Sequence, residues 1–102
     1  MDYIAIEVPD MNDSVSRVVL SGTAYQIRFS YNHTGDYWKM SLRTALGVSI
    51  VEGIKIVPNF PLNVFFGTLD LPNGFFLAHT KLDRIGRNAF KAGQAKFYYV
   101  PV

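Results

Sequence analysis

Alternation of apolar and polar residues is the sequence feature that most limits what this chain can fold into. In residues 23–31 apolar side chains recur at every second position, at Tyr25, Ile27, Phe29 and Tyr31. In residues 37–43 they recur at Trp38, Met40 and Leu42. Because successive side chains of a strand point to opposite faces, each segment predicts a half-buried strand. The polar turn NHTGD between them predicts a hairpin whose joint aromatic face belongs to the core.

The same periodicity runs through most of the 102 residues, and helical spacing is almost absent. Strands are predicted over residues 3–8, 14–20, 23–31, 37–43, 48–58, 62–71, 75–81 and 94–100. Within residues 82–93, the stretch bounded by Gly86 and Gly93 has room for a single helical turn. The sequence therefore predicts one all-β domain over residues 1–102, a small antiparallel barrel or compact sandwich of about seven strands with at most one short helical turn.

Glycine and proline predict where the strands bend. Gly53 interrupts a β-branched run and indicates a bulge or sharp bend. Pro58 and Pro61 predict a rigid corner. Residues 72–74, Pro-Asn-Gly, are typical of a tight turn and predict a second hairpin between residues 62–71 and 75–81, although Gly67 interrupts its first strand.

Composition argues against most kinds of chemistry. The chain has no cysteine and two histidines, so thiolate sites and cysteine nucleophiles are absent and ligands for a metal are few. No nucleophile-and-base pattern and no glycine-rich phosphate loop can be read from it. We expect no catalytic, cofactor-binding or metal-binding residues, and therefore no enzyme. The N-terminal segment lacks the features of a signal peptide and no stretch approaches membrane-spanning length, which predicts an unsecreted, soluble protein.

Charge is distributed unevenly although the net charge is only +2. Residues 1–13 contain four acidic and no basic residues, and residues 81–102 contain five basic residues and one acidic residue. These opposed ends could pair within one subunit or between neighbouring subunits, where complementary charges set register. The candidate residues for subunit contact are Arg84, Arg87, Lys91, Asp10 and Asp13.

A single-stranded nucleic-acid-binding barrel is the alternative function. Tyr25, Phe29, Tyr31 and Trp38 could stack bases, and the glycine-bounded basic segment 83–101 could hold phosphate. The alternation counts against stacking, since these aromatic residues share a face with aliphatic ones. In the basic segment, Ile85 and Phe90 are expected to pack into the end of the barrel while the charges stay in solvent. A soluble regulatory or host-interaction module is a third possibility.

Six segments of the chain carry a family resemblance. They are IEVP (6–9), SRVVLSGTAYQIRFSYN (16–32), YWKMSL (37–42), GIKIVPNFPL (53–62), LPNGFF (71–76) and DRIGRNAFKAGQAKFYYV (83–100). In this order they resemble the small phage tail proteins typified by the baseplate plug of a cyanophage contractile tail. The specificity lies in the combination, since any one segment alone is an ordinary strand or corner.

The resemblance implies a structural role in a tail baseplate, as a plug or hub-associated protein at the distal end of the tail tube. It implies partners among the hub, spike, tube and wedge proteins, a homo-oligomer of three- or sixfold symmetry, DNA only as transient cargo of the channel, and no membrane contact. The location implied is the virion tail baseplate, with the host cytoplasm during assembly. Backbone shape would be set by Gly53, Pro58, Pro61, Gly74 and Gly86. Asp83, Arg84 and Arg87 would lock the last loop or contact a neighbour.

Overall fold

The computed structural model describes residues 3–62 and 74–101, and these form two antiparallel β-sheets without a helix. The strands are β1 (Ile4–Ile6), β2 (Asp13–Leu20), β3 (Thr23–Asn32), β4 (Tyr37–Thr44), β5 (Ser49–Lys55), β6 (Gly74–Thr80) and β7 (Ala95–Pro101). One sheet has the order β1-β7-β6 and the other the order β2-β3-β4-β5. The all-β prediction is confirmed. The predicted second hairpin falls mostly on residues 63–73, outside the described residues.

The predicted hairpin of residues 23–31 and 37–43 forms in the four-stranded sheet, and its apolar residues share one face. Strand β3 pairs with β4 so that Phe29 lies opposite Met40 and Tyr31 opposite Trp38. Strands β2 and β3 are joined by the two-residue turn Ser21–Gly22, whose φ angles are 51° and 81°. Positive φ at both central residues twists the turn in the sense that matches the flanking strands.

Gly53 lies at a break in the pairing of β4 with β5, where the sequence predicts a bulge or sharp bend. The pairing of β4 with β5 shifts register between Met40 and Leu42, and Gly53 takes a φ of 64° there. Its amide donates a hydrogen bond to the Ser41 hydroxyl at 3.0 Å instead of continuing the ladder. The bulge prediction is confirmed, and the extra residue bends this edge of the sheet.

The predicted proline corner connects the two sheets. After β5 the chain forms isolated bridges from Pro58 to Ala78 and from Leu62 to Phe76, both on the free side of β6. Asn59, with a φ of 55°, places its side-chain amide against the backbone of Thr80. Its Nδ2 donates to the Thr80 carbonyl at 2.6 Å, and its Oδ1 accepts from the Thr80 amide at 2.9 Å. The corner therefore covers the outer edge of β6.

The core lies between the inner faces of the two sheets. Phe97 of β7 packs edge-on against Phe29 of β3, with ring centroids 5.1 Å apart, and stacks on Phe76 of β6 at 5.6 Å. The predicted aromatic face of the β3–β4 hairpin belongs to this core. Its fully or nearly fully buried members are Tyr25, Ile27, Phe29, Trp38, Met40 and Leu42, while Tyr31 is partly buried.

Candidate interaction surface

The segment that joins β6 to β7 carries three of the five predicted contact residues. We call residues 81–94 the closing loop. It consists of turns, with hydrogen bonds from the Ala92 amide to the Asn88 carbonyl and from the Gln94 amide to the Ala89 carbonyl, each 2.9 Å long. Ile85 and Ala89 are buried in the core and Phe90 packs against it, while Arg84 and Lys91 are well exposed. The apolar side chains anchor the closing loop and leave its charges in solvent.

The closing loop packs against Trp38 of β4. Its indole Nε1 donates a hydrogen bond to the Gly86 carbonyl at 3.1 Å, and the Phe90 ring packs against it edge-on at 5.9 Å. The Arg87 guanidinium lies over its ring, 5.4 Å from the centroid. Because Trp38 is almost completely buried, the bond to Gly86 gives its single donor the partner that a buried indole needs. One residue of β4 thus fixes the position of three residues of the loop.

Arg87 and Lys91 hold the closing loop to the segment between β1 and β2. Arg87 donates to Asn12 Oδ1 at 2.6 Å through Nε and to Asp10 Oδ1 at 3.0 Å through Nη1. Lys91 Nζ lies 3.3 Å from the other carboxylate oxygen of Asp10. The hydrogen bond from Arg87 and then the one from Lys91 lower the pKa of Asp10 below 3.8. The acidic N-terminal and basic C-terminal segments therefore meet within one chain at Asp10.

Arg84 has a partner that the sequence did not indicate. Its guanidinium forms an ion pair with the Asp36 carboxylate, and its Nη2 donates to the Asp36 carbonyl at 3.3 Å. The hydroxyl of Tyr31 donates to the same carboxylate. Asp36 sits in the β3–β4 turn with a φ of 52°, in the left-handed region that Asp tolerates better than most residues. The sequence shows an acidic residue at the end of the NHTGD turn, but no sequence pattern connects Asp36 with Arg84, which lies 48 residues away.

Asp13 lies apart from the closing loop. Both of its carboxylate oxygens accept from Arg28 on β3, at 2.8 Å from Nε and 2.6 Å from Nη2. This bidentate contact is the main reason that the pKa of Asp13 lies below 3.8. Of the five predicted residues, the structure gathers Asp10, Arg87 and Lys91 in one cluster. Arg84 is on the same loop with a separate partner, and Asp13 belongs to the outer face of the four-stranded sheet.

The described residues suit other chemistries poorly. They contain no group of three or more His, Asp or Glu side chains placed to hold a metal ion. Phe29 and Trp38, which would have to stack on bases in a nucleic-acid-binding barrel, are at most 1% exposed. No helix in this part of the chain is long and apolar enough to cross a membrane. What the site offers is a charged loop that is anchored by its own contacts at the surface of a β-sheet fold.

Comparison with known proteins agrees with the resemblance carried by the sequence segments. The family model described as cyanophage baseplate Pam3 plug gp18 matches residues 1–102, the whole chain. No curated protein matches the chain. A protein of this family is a structural component of the phage tail baseplate. The all-β fold agrees with the barrel-like domain that the sequence predicts. Because the match extends over every residue, the chain belongs to the cyanophage baseplate plug family.

Proposed function

We propose that this protein is a non-enzymatic structural component at the distal end of a phage tail tube, and that it acts through contacts with neighbouring subunits. The observation that supports this most directly is the closing loop, whose backbone is held by Trp38 and whose Arg84 and Lys91 side chains remain 65% and 58% exposed. A charged surface on a fixed backbone loses little conformational entropy when it docks, which suits a protein that binds other proteins.

The five predicted contact residues divide by role in this proposal. Arg87, only 24% exposed, and Asp10 brace the loop from within the chain. Arg84 and Lys91 present charge to a neighbour while keeping their internal partners. Asp13, held by Arg28, contributes to contact on a different face of the subunit. Charge complementarity of this kind sets the register and partner choice of an interface more than its raw affinity.

The partners we propose are the hub, spike, tube and wedge proteins of the same tail, together with further copies of this chain. Location in the virion baseplate follows from the family, and assembly in the host cytoplasm would precede it. DNA would pass as transient cargo of the channel. With a net charge of +2, the chain has little capacity to hold DNA by neutralising phosphates.

Charge reversal on the closing loop tests the proposal. Arg84→Glu and Lys91→Glu, each with an affinity tag, would be co-expressed with the hub, tube and wedge proteins and compared with the unmodified chain by co-purification. Lys39→Glu, on the outer face of β4, is the matched control because it reverses the same charge away from the loop. We expect both loop variants to stay folded by circular dichroism and to recover less partner protein than the control. Equal recovery for all three variants contradicts a contact role for the loop.

A second measurement addresses the nucleic-acid alternative. Fluorescence anisotropy with a labelled single-stranded oligonucleotide, at low and at physiological salt, detects phosphate-driven binding by its steep salt dependence. We expect no salt-sensitive binding in the micromolar range, because the aromatic residues suited to stacking are buried. Tight binding that weakens steeply with salt would replace the structural proposal with the nucleic-acid one.

A further inference from the structure

The edges of the two sheets are not equally protected against pairing with another strand. Strand β1 has only three residues, β5 is bent by its bulge, and β6 is covered by the bridges from Pro58 and Leu62. Strand β2 is different, because it has eight residues without a bulge or proline and no described residue pairs with its outer side. Proteins usually shorten, bend or cover such an edge. Within residues 3–62 and 74–101, β2 is the longest edge strand that is neither bent nor covered.

The hairpin geometry shows which residues of β2 present unpaired backbone groups. Across a two-residue turn, Leu20 and Thr23 form the first hydrogen-bonded pair, and such pairs recur at every second residue. The hydrogen bond from the Tyr31 amide to the Asn12 carbonyl, 2.8 Å long, falls in the same series at the other end of the hairpin. The even-numbered residues of β2 therefore bond to β3. The odd-numbered residues direct their amides and carbonyls to the free side.

The odd-numbered residues also place their side chains on the outer face, where their order is chemically symmetric about Val15. Reading along the strand, they are Asp13, Val15, Arg17 and Val19, and all four are exposed. An antiparallel second copy centred on Val15 would place Asp13 opposite Arg17 twice and Val15 opposite Val15. A shift of two residues places Val15 opposite Arg17, and a shift of four places Arg17 opposite Arg17. Only the Val15-centred register among these matches charge with charge and apolar with apolar residues.

We propose that β2 docks on β2 of a second copy of this chain, antiparallel and centred on Val15, so that the two four-stranded sheets become one sheet of eight strands. A space of about 370 Å³ lies next to the docking edge, between β1 and residues Ser16 to Leu20. It is distinct from a groove of about 440 Å³ elsewhere on the same sheet. Strand β1 pairs with β7 and not with β2, so the outer side of β2 has no backbone partner among the described residues. Hydrogen bonds along the free edge would supply affinity, and the two Asp13–Arg17 pairs would select the register.

This pairing differs from the contacts proposed for the closing loop. An isologous contact around a twofold axis makes a closed pair, whereas a three- or sixfold ring needs two unlike surfaces on each subunit. The β2 pair is therefore a form of the free protein, in which the bare edge is protected from aggregation before the subunit enters a larger assembly. Formation of this pair does not depend on which tail proteins the closing loop contacts, so either proposal can fail while the other stands.

Sedimentation velocity of the purified full chain tests the pairing, at protein concentrations from about 10 μM to about 1 mM. We expect a reversible monomer–dimer equilibrium. Arg17→Asp should weaken dimerisation on the order of tenfold or more, because it turns two attractive cross-strand pairs into two repulsive ones. Val15→Pro should abolish it, because it removes an amide from the free side and none from the bonds to β3. Lys39→Glu, on the same sheet but two strands away, should leave it unchanged.

Mixing two variants provides the sharpest test of the register. Asp13→Lys and Arg17→Asp should each be monomeric alone, since each sets like charges opposite each other. A 1:1 mixture should restore a dimer, because the introduced lysine of one variant would then face the introduced aspartate of the other. Circular dichroism and urea unfolding verify that each variant is folded. A monomer at every concentration, an oligomer that persists in Val15→Pro, or folded variants that do not associate when mixed would each overturn the proposal.

Discussion

Replacement of Asn59 should reveal how strongly the proline corner holds the two sheets together. Asn59 adopts a φ of 55° and forms two hydrogen bonds with the backbone of Thr80, a residue that is 5% exposed. Asn59→Ala removes both bonds and places a residue with a Cβ, but without a compensating polar group, in the left-handed region. Asn59→Gly removes the same bonds but fits that conformation without strain. The pair of variants therefore separates the loss of hydrogen bonds from backbone strain.

The expected magnitudes follow from these contacts. Each hydrogen bond contributes about 1 kcal/mol net, so losing both costs about 2 kcal/mol. Left-handed backbone geometry adds about 1 kcal/mol for alanine. We expect Asn59→Ala to lower the free energy of unfolding by about 3 kcal/mol and Asn59→Gly to lower it by about 2 kcal/mol. Since domains of this size are stable by only about 5–15 kcal/mol, both losses are readily measured.

Equilibrium urea unfolding, followed by tryptophan fluorescence, measures both values, because the only tryptophan, Trp38, is buried and should report loss of the core. A shift in the midpoint at constant slope would show that stability alone has changed. A loss below about 1 kcal/mol for Asn59→Ala would refute the reasoning, because it would mean that the Thr80 backbone does not need the Asn59 amide. A glycine variant less stable than the alanine variant would refute the strain component.

Three other perturbations test separate parts of the structure. Hydrogen bonds from basic side chains lower the pKa values of Asp10 and Asp13 below 3.8. Their contribution to stability is therefore complete above that pH and is lost as the pH falls through the lowered values. Urea midpoints measured from pH 7 downwards should fall less steeply in an Asp10→Asn/Asp13→Asn double variant than in the unmodified chain. Gly53→Ala should cost about 1–2 kcal/mol in thermal or urea unfolding, from its positive φ alone, because a Cβ there meets no atom within 4 Å; an unchanged stability would contradict the bulge geometry. Trp38→Phe should lower the free energy of unfolding by about 1–3 kcal/mol, because the Gly86 carbonyl loses its donor. Limited proteolysis should then cut the closing loop sooner than in the unmodified chain. Unchanged cleavage would contradict the anchoring role of Trp38.

Most of the sheet architecture could be predicted from periodicity because it reflects local geometry. A strand turns alternate side chains to opposite faces whatever it packs against, so the buried face of the β3–β4 hairpin followed from the order of residues. The bulge at Gly53 followed from a glycine within a β-branched run. Strand ends were displaced by one or more residues, and β5 ends three residues before Pro58, which forms a bridge to Ala78 of β6 instead.

The sequence indicated the charged residues of this surface but not their partners within the chain, and their contact with another subunit stays a prediction. Arg84, Arg87, Lys91 and Asp10 all occur at one charged surface, yet the sequence left open whether opposite charges meet within one chain or between chains. The structure pairs Arg87 and Lys91 with Asp10 in the same chain and assigns Asp36 to Arg84. Those partners are separated by many residues, and short-range periodicity contains no information on which distant turns the packing of two sheets brings together.

The sequence by itself determined the class of fold, the faces of the long strands, the bends and the family. All of these depend on side-chain order over a few residues or on the combination of local segments. Only the tertiary structure decided which strand edge has no partner among the described residues, which carbonyl Trp38 contacts and which carboxylates Arg84 and Arg87 bind. These features arise when two sheets pack face to face, because burial of the shared core then fixes the relative positions of turns that are far apart in the chain.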